Sequence, residues 1–138
     1  MSRQVSIILI DEFNKILLQH RDNIPEIWNP GAWSLFGGGV EEGETFEEAL
    51  IRETKEELNY DLKNFEFIEE YTHESPVIVK LYISRIKNIE KESLKLLEGD
   101  DWGWFSLEET QKLDFGVGDM FWKWVKDSLE EKLGANEY

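Results

Sequence analysis

Three glutamates on one predicted helix are the residues of this chain best suited to chemistry. Glu56 and Glu57 follow Glu53 by three and four residues, so the three side chains point towards one small volume. A helical wheel puts Glu53 and Glu57 on the apolar face and Glu56 at its rim. A carboxylate on a core-facing surface is costly without a partner, and three together repel one another. The pattern therefore predicts a divalent cation, and Mg²⁺ suits a site made only of oxygen ligands.

The residues on either side of these acids define the ends of the helix. Gly37 to Gly39 precede it and can bring backbone carbonyls close to an ion or ligand. Thr45, with Glu48 three residues later, predicts a capping box at the N-terminus. Asn59 is suited to the left-handed position that ends a helix. The helix is therefore expected from Phe46 to Leu58.

Arg52 lies beside the carboxylate face rather than on it. It can reach Glu56 or Glu48 one turn away, or bend back to Glu44 in the preceding loop. An ordinary surface ion pair would contribute less than about 1 kcal/mol. A contact between loop and helix would instead orient the acids, and the sequence leaves both interpretations open.

The spacing of these residues resembles the Nudix box, GX5EX7REUXEEXGU. The match runs from Gly38 to Tyr60, with Asn59 in place of the last glycine and Tyr60 at an aliphatic position. The glycine and charged positions of the motif correspond to Gly38, Glu44, Arg52, Glu53, Glu56 and Glu57. The two departures remove no catalytic group, so we expect them to affect substrate preference rather than activity.

The resemblance implies a fold and a set of roles. The fold is α/β, the Nudix α/β/α sandwich around a mixed β-sheet, in a single domain over residues 1–138. Glu56, Glu57 and the carbonyl of Gly37 are implied to bind Mg²⁺, or Mn²⁺ in its place. Glu53 is implied to be either a further metal ligand or the general base. The implied catalytic set is Glu53, Glu57 and Arg52, and the implied structural residues of the box are Gly38, Glu44 and Arg52.

A further acid is expected from outside the box. Glu98 precedes Trp102 to Phe105 and resembles the distal glutamate, a metal ligand, that many relatives place before such a strand. The alternative is a solvated turn residue, with Gly99 supplying the bend. Glu41 is the second candidate for this role.

Four residues are candidates for binding a substrate. Arg21 is expected at a strand end, where relatives often carry an Arg that meets a phosphate, and Gly38 lies in the loop beside the acids. Trp33 could stack on a nucleobase, although most of the Trp side chains are expected in the core or at its rim. Asp119 resembles the residue with which purine-binding relatives contact the base edge, and an ordinary helix cap is the alternative.

Composition limits the class of protein. The formal net charge of −15 argues against binding nucleic acid, which relies on Lys and Arg. The apolar run from Val5 to Ile10 is interrupted by Asp11 and Glu12, so we expect neither a signal peptide nor a membrane span. A cytoplasmic protein, monomeric or homodimeric, is expected. Absence of Cys excludes a disulfide framework or a thiolate metal site.

The remaining elements alternate between strands and helices. Predicted strands are Val5 to Ile10, Lys15 to His20, Trp33 to Phe36, Val40, Phe65 to Tyr71, Val77 to Ile86 and Asp101 to Phe105. Ser106 is expected to cap a single turn that ends at Gln111, and a last helix is expected from Asp119 to Leu133. Its inward face is predicted to hold Phe121, Val125, Ser128 and Leu129. Interleaved strands and helices are typical of a layered α/β domain.

The resemblance to the Nudix family, together with the acidic site, implies Mg²⁺-dependent hydrolysis of a nucleoside diphosphate linked to another group. A nucleoside triphosphate pyrophosphohydrolase, giving a nucleoside monophosphate and pyrophosphate, is the preferred interpretation because the chain is close to the minimal MutT-like pattern. The next is an ADP-ribose or nucleotide-sugar pyrophosphatase. A non-catalytic module that senses nucleotides or binds a protein is an alternative of another class. An isomerase that uses the same metal site is a third and smaller possibility. The chain has no Cys nucleophile that would support it.

Overall fold

The computed structural model describes residues 2–21, 31–72, 77–97 and 101–134. The strands in these ranges are β1 Ser2–Ile10, β2 Ile16–His20, β3 Trp33–Ser34, β4 Phe36–Gly39, β5 Glu66–Tyr71, β6 Val77–Arg85 and β7 Asp101–Phe105. The helices are α1 Phe46–Leu58, α2 Asn88–Lys91 and α3 Asp119–Gly134, with 3-10 turns at Glu109–Lys112 and Gly116–Gly118.

The strands form one mixed sheet in which β1 is central. It runs parallel to β6, from Ser2 opposite Val77 to Ile10 opposite Arg85. On its other side it is antiparallel to β4, and it meets β2 where Ile10 lies opposite Ile16. β5 pairs with β6, while β3 and β7 pair with β2. Parallel and antiparallel pairs therefore meet at β1, as a mixed sheet requires.

The sheet lies between α1 and α3. Because side chains alternate along a strand, Val5, Ile7 and Leu9 of β1 pack in the core on the α1 side. Ile8 and Ile10 pack in the core on the α3 side. Both faces of β1 are buried, which explains its continuous apolar sequence. The predicted α/β/α sandwich is confirmed.

The inward face of α3 differs in part from the predicted one. Its buried residues are Trp122, Val125, Leu129 and Leu133. Phe121 and Ser128, expected on this face, are only partly buried. Trp122 stacks on Phe115 with ring centroids 4.5 Å apart, so the larger and better packed indole takes the central position. No helix in the described ranges combines the length and the apolar character needed to cross a bilayer.

A buried carboxylate holds the turn between β1 and β2. Asp11 Oδ1 accepts hydrogen bonds from the N–H groups of Phe13 and Lys15 at 2.9 and 2.8 Å, and Oδ2 accepts one from Lys91 Nζ at 2.6 Å. Burial acts to raise the pKa of Asp11, but these hydrogen bonds outweigh it and the pKa lies below its ordinary value. Lys91 belongs to α2, which buries no residue and therefore has no apolar pattern by which the sequence could predict it.

Candidate active site

Both ends of α1 are fixed as the sequence predicts. Thr45 Oγ1 accepts a hydrogen bond from the N–H of Glu48 at 3.0 Å, and Glu48 Oε1 accepts one from the N–H of Thr45 at 2.9 Å. At the other end Asn59 has a left-handed backbone with φ 54°, and its N–H donates to the carbonyl of Lys55. These caps fix where the helix begins and ends, and hence the direction of the acids on it.

Two of the three helix acids lie against the glycine backbone of β4. Glu57 is only 4% exposed, and its Oε1 accepts a hydrogen bond from the N–H of Gly37 at 3.1 Å. The carboxylate of Glu53 lies so close to Gly38 that a Cβ at residue 38 would be 2.5 Å from each of its oxygens. Glu56 is exposed, in agreement with its predicted place at the rim. The structure therefore brings Glu53 and Glu57 to one stretch of backbone.

Arg52 joins the loop to the acids. Its Nε and Nη2 donate to the two carboxylate oxygens of Glu44 at 2.7 and 2.9 Å, and Nη2 also donates to the carbonyl of Gly39 at 2.8 Å. Its Nη1 donates to Glu53 Oε1 at 2.9 Å and lies 3.3 Å from Glu56 Oε2. Among the partners that the sequence left open, Glu44 therefore makes the bidentate contact. We call these contacts of Arg52 the loop clamp.

The loop clamp makes part of the folding stability depend on pH. Hydrogen bonds from Arg52 and from the N–H of Glu41 lower the pKa of Glu44 from 4.5 to about 2. Because the folded-state pKa is the lower one, the folded protein binds fewer protons than the unfolded chain between these values. The stabilisation contributed by Glu44 is therefore complete above about pH 4.5 and is lost as the pH falls towards 2.

The Glu44→Gln variant should show this dependence in urea unfolding. We expect its unfolding midpoint to lie below that of the original protein at neutral pH, because the charged partner of Arg52 is gone. Near pH 3 the difference between the two unfolding midpoints should be smaller, since the stabilisation that Glu44 contributes in the original protein is then partly lost. A gap of the same size at both pH values would contradict the role given to Glu44.

Two neighbouring glycines give a matched test of the contact between Glu53 and β4. A methyl group at Gly38 would collide with the Glu53 carboxylate, whereas one at Gly39 would meet no atom within 4 Å. The Gly38→Ala variant should therefore displace Glu53 and lower any metal-dependent activity by about tenfold or more, since misplaced catalytic groups are costly. Gly39→Ala should retain activity. Initial rates and circular dichroism would compare the two, and equal losses would contradict the contact.

The donors around the loop fit a hard divalent cation. They are carboxylates and backbone carbonyls, the oxygen ligands that Mg²⁺ and Mn²⁺ prefer, and residue 38 has no side chain to fill the space beside Glu53. In the described ranges no three acidic, His or Cys side chains close around one point. Arg52 Nη1 instead bridges Glu53 and Glu56. Glu53, Glu56, Glu57 and the carbonyl of Gly37 are thus neighbours rather than a closed cage.

Of the two candidates for the distal acid, Glu98 lies outside the described residues and Glu41 lies within them. Glu41 is exposed, and its Oε1 lies 3.5 Å from Arg52 Nε. Its N–H donates to Glu44 Oε1 at 2.9 Å. Glu41 therefore belongs to the loop clamp, on the side of Arg52 that faces Glu44.

A cavity of about 660 Å³ begins at Glu57 and extends over the α3 side of the sheet. Four predicted site residues besides Glu57 line it, namely Arg21, Trp33, Gly37 and Gly38. Asp119 is exposed and does not line it, although its neighbours Gly118 and Met120 do. The structure therefore brings Arg21, Trp33 and Glu57 to one cavity and leaves Asp119 at its border.

Trp33 lies in contact with other rings. Its ring centroid is 5.1 Å from that of His20 and 5.1 Å from that of Phe105, the second in a T-shaped arrangement. Much of its surface is therefore in packing contacts, the alternative that the sequence left open. Trp28, another Trp of the same stretch of sequence, lies outside the described residues.

Sequence reasoning missed the polar residues of β1 that line the cavity. Gln4 and Ser6 alternate with Val5 on this strand and belong to the cavity wall. The signal was present, because Gln4 and Ser6 continue towards the N-terminus the face on which Ile8 and Ile10 lie. The predicted strand, Val5 to Ile10, includes Ser6 but not Gln4, and its pattern does not show that this face borders a cavity.

Comparison with known proteins places this geometry in a family. A family model described as NUDIX domain matches residues 2–121. The curated protein "Nucleoside triphosphatase NudI" of Escherichia coli O139:H28 (strain E24377A / ETEC) is 49% identical over 53 residues, which are 38% of this chain and 37% of that protein. The chain thus matches well under two thirds of the length of this relative.

Solved structures share the fold over most of the chain. The MutT protein from Methanosarcina mazei Go1 has a TM-score of 0.74 and 22% identity, covering 99% of this chain and 96% of that one. The NUDIX domain of Shewanella oneidensis NrtR, solved with ADP ribose, has a TM-score of 0.73 and 17% identity, covering 95% and 87%. With the family model spanning most of its length, the chain belongs to the NUDIX domain family.

Proposed function

We propose that this protein is an enzyme that hydrolyses a nucleoside diphosphate linked to another group, and specifically a Mg²⁺-dependent nucleoside triphosphate pyrophosphohydrolase. The reaction would consume water and release a nucleoside monophosphate and pyrophosphate. One observation carries the proposal. Glu53 and Glu57 meet the backbone of Gly37 and Gly38 at the wall of a cavity that is otherwise mostly uncharged.

The site supplies what such a reaction needs. The phosphates repel an attacking hydroxide, and a bound Mg²⁺ would neutralise phosphoryl oxygens and lower the pKa of a water molecule. Glu56, Glu57 and the carbonyl of Gly37 would hold the ion. Glu53 would either complete this set or take the proton of the attacking water. Arg52 would hold Glu53 in place through the loop clamp.

Other residues of the cavity would bind the substrate. Arg21 supplies the positive charge that a phosphate needs. Gly38, next to the acids, lets the backbone approach the phosphates closely. Asp119 at the border of the cavity stays a predicted contact of the nucleobase. The ligand is a small molecule, since the net charge of −15 is unfavourable for nucleic acid. We expect one domain, as a monomer or homodimer.

The relatives give this reaction its support and also its alternatives. The name of NudI in Escherichia coli is that of a nucleoside triphosphatase, which favours a triphosphate as the substrate. The NrtR domain was solved with ADP ribose, which keeps an ADP-ribose or nucleotide-sugar pyrophosphatase as the second candidate. A domain that binds nucleotides without hydrolysing them is the alternative of another class.

A substrate panel distinguishes these functions. The panel comprises nucleoside triphosphates, oxidised nucleotides, ADP-ribose, nucleotide sugars and dinucleoside polyphosphates, each incubated with Mg²⁺ or with EDTA. The proposal expects Mg²⁺-dependent formation of nucleoside monophosphate and pyrophosphate, separated by ion-exchange chromatography. Turnover of ADP-ribose or a nucleotide sugar alone would favour the second candidate. Binding of one compound without turnover of any would favour the non-catalytic module.

A further inference from the structure

We propose that Gln4 and Ser6 select the nucleobase of the substrate, and that the base lies over β1 and β6 rather than against Trp33. This inference rests on the proposed function, because it names the part of the cavity that would hold the uncharged end of that substrate. Both residues lie outside the Nudix box.

Charge divides the cavity wall into two regions. Among the described residues that line it, Glu57 is the only acid and Arg21 the only base, in a chain with 30 acidic and 15 basic residues. Arg21 follows β2, which pairs with β3, whereas β4 pairs with β1 and contacts Glu57 through the N–H of Gly37. A phosphate chain that starts at Glu57 is therefore drawn towards Arg21. The β1–β6 side is left for the uncharged part of the ligand.

A row of paired residues forms the floor of this uncharged region. Tyr71 of β5 lies opposite Val79 of β6, and Val79 lies opposite Gln4 of β1. All three line the cavity, as does Phe121 from α3, whose ring centroid is 5.4 Å from that of Tyr71. Two aromatic side chains and a valine provide the apolar surface on which a planar ring can rest.

Gln4 and Ser6 are the hydrogen-bonding groups of β1 on this floor. Within the described part of the chain neither side chain has a hydrogen-bond partner. Ser6 lies opposite Gly37, whose N–H binds Glu57, and Gln4 lies about 7 Å further along the strand. A nucleotide with its phosphates at Glu57 would thus bring its base towards Gln4. An amide offers a donor and an acceptor side by side, which matches the edge of a nucleobase.

Trp33 is less suited to hold the base. It lies on β3, which pairs with β2, and so belongs to the same side of the cavity as Arg21. Stacking on Trp33 would place the uncharged ring on the charged side of the cavity.

Nitrogen-edited NMR titrations with adenosine, guanosine, cytidine and uridine test the proposal. Nucleosides carry no phosphate, so neither Mg²⁺ nor turnover is involved. We expect at least one nucleoside to shift the side-chain amide signals of Gln4, identified by their loss in Gln4→Ala. That variant should bind the preferred nucleoside about tenfold more weakly, and Ser6→Ala should also weaken it. Gln4→Glu keeps the shape without the donor and should change the order of preference.

Gln111→Ala is the matched control, because Gln111 is exposed on a 3-10 turn and outside the cavity wall. It should bind every nucleoside as the original protein does. Unchanged Gln4 signals with all four nucleosides, or the same affinities in Gln4→Ala and the original protein, would overturn the inference. Hydrolysis in the substrate panel with silent Gln4 signals would refute only this inference. Nucleoside binding through Gln4 without hydrolysis would refute only the proposed enzyme.

Discussion

The Glu57→Gln variant should lower kcat/KM for the best substrate by at least about a hundredfold. Glu57 is buried, and its carboxylate accepts the N–H of Gly37. Gln has nearly the same shape and can accept the same hydrogen bond, so the fold should be retained. What is lost is the negative charge that would hold the ion, and with it the stabilisation of charge at the phosphates. Initial rates at saturating Mg²⁺, with thermal unfolding of the same samples, measure both effects.

Glu131→Gln is the control for this substitution. Glu131 is exposed on α3, so its replacement by Gln removes the same charge away from the site. Its rate should equal that of the original protein. Full activity of the Glu57→Gln variant, with both proteins folded, would contradict the assignment of Glu57.

The second large effect is expected from Arg52→Met, which removes the loop clamp. Arg52 bonds to Glu44, to the carbonyl of Gly39 and to Glu53, so its loss frees the loop and leaves neighbouring acids to repel one another. We expect kcat to fall by about a hundredfold, because small displacements of catalytic groups are that costly. The melting temperature should fall as well. Steady-state kinetics and calorimetry would record the two changes.

Arg52→Lys separates the charge of the clamp from its geometry. Lys keeps the positive charge, but it lacks the planar fork that bonds both oxygens of Glu44. Its activity should therefore lie between those of Arg52→Met and the original protein. Equal kcat in all three proteins, whatever their melting temperatures, would show that the clamp is structural only and does not position Glu53.

The sequence predicts the local structure of this site well where short-range rules apply. The capping box of Thr45 and Glu48 and the left-handed Asn59 depend on neighbouring residues, and both were predicted correctly. The α2 helix was not predicted, because it buries no side chain and is joined to the rest through the pair of Lys91 with Asp11. That contact links residues far apart in the chain.

Contacts between distant segments of the chain also explain which features of the site the sequence could not predict. Arg52 had several acids within reach, and only the folded loop makes Glu44 the bidentate partner. The inward face of α3 includes Trp122 because Phe115 stacks on it. Helical periodicity alone cannot predict this contact. Gln4 becomes a cavity residue only when Val79 and Tyr71 lie beside it. Each outcome depends on pairing between distant segments.

Binding of Mn²⁺ tests most directly the central claim that the acids of α1 and the backbone of β4 form a divalent cation site. Titration of the nucleotide-free protein with Mn²⁺, followed by electron paramagnetic resonance of the free ion, measures binding without catalysis. The account predicts saturable binding that Mg²⁺ competes away and that Glu57→Gln weakens by about tenfold or more, while Glu131→Gln binds normally. Equal Mn²⁺ affinity in Glu57→Gln and the original protein would contradict it.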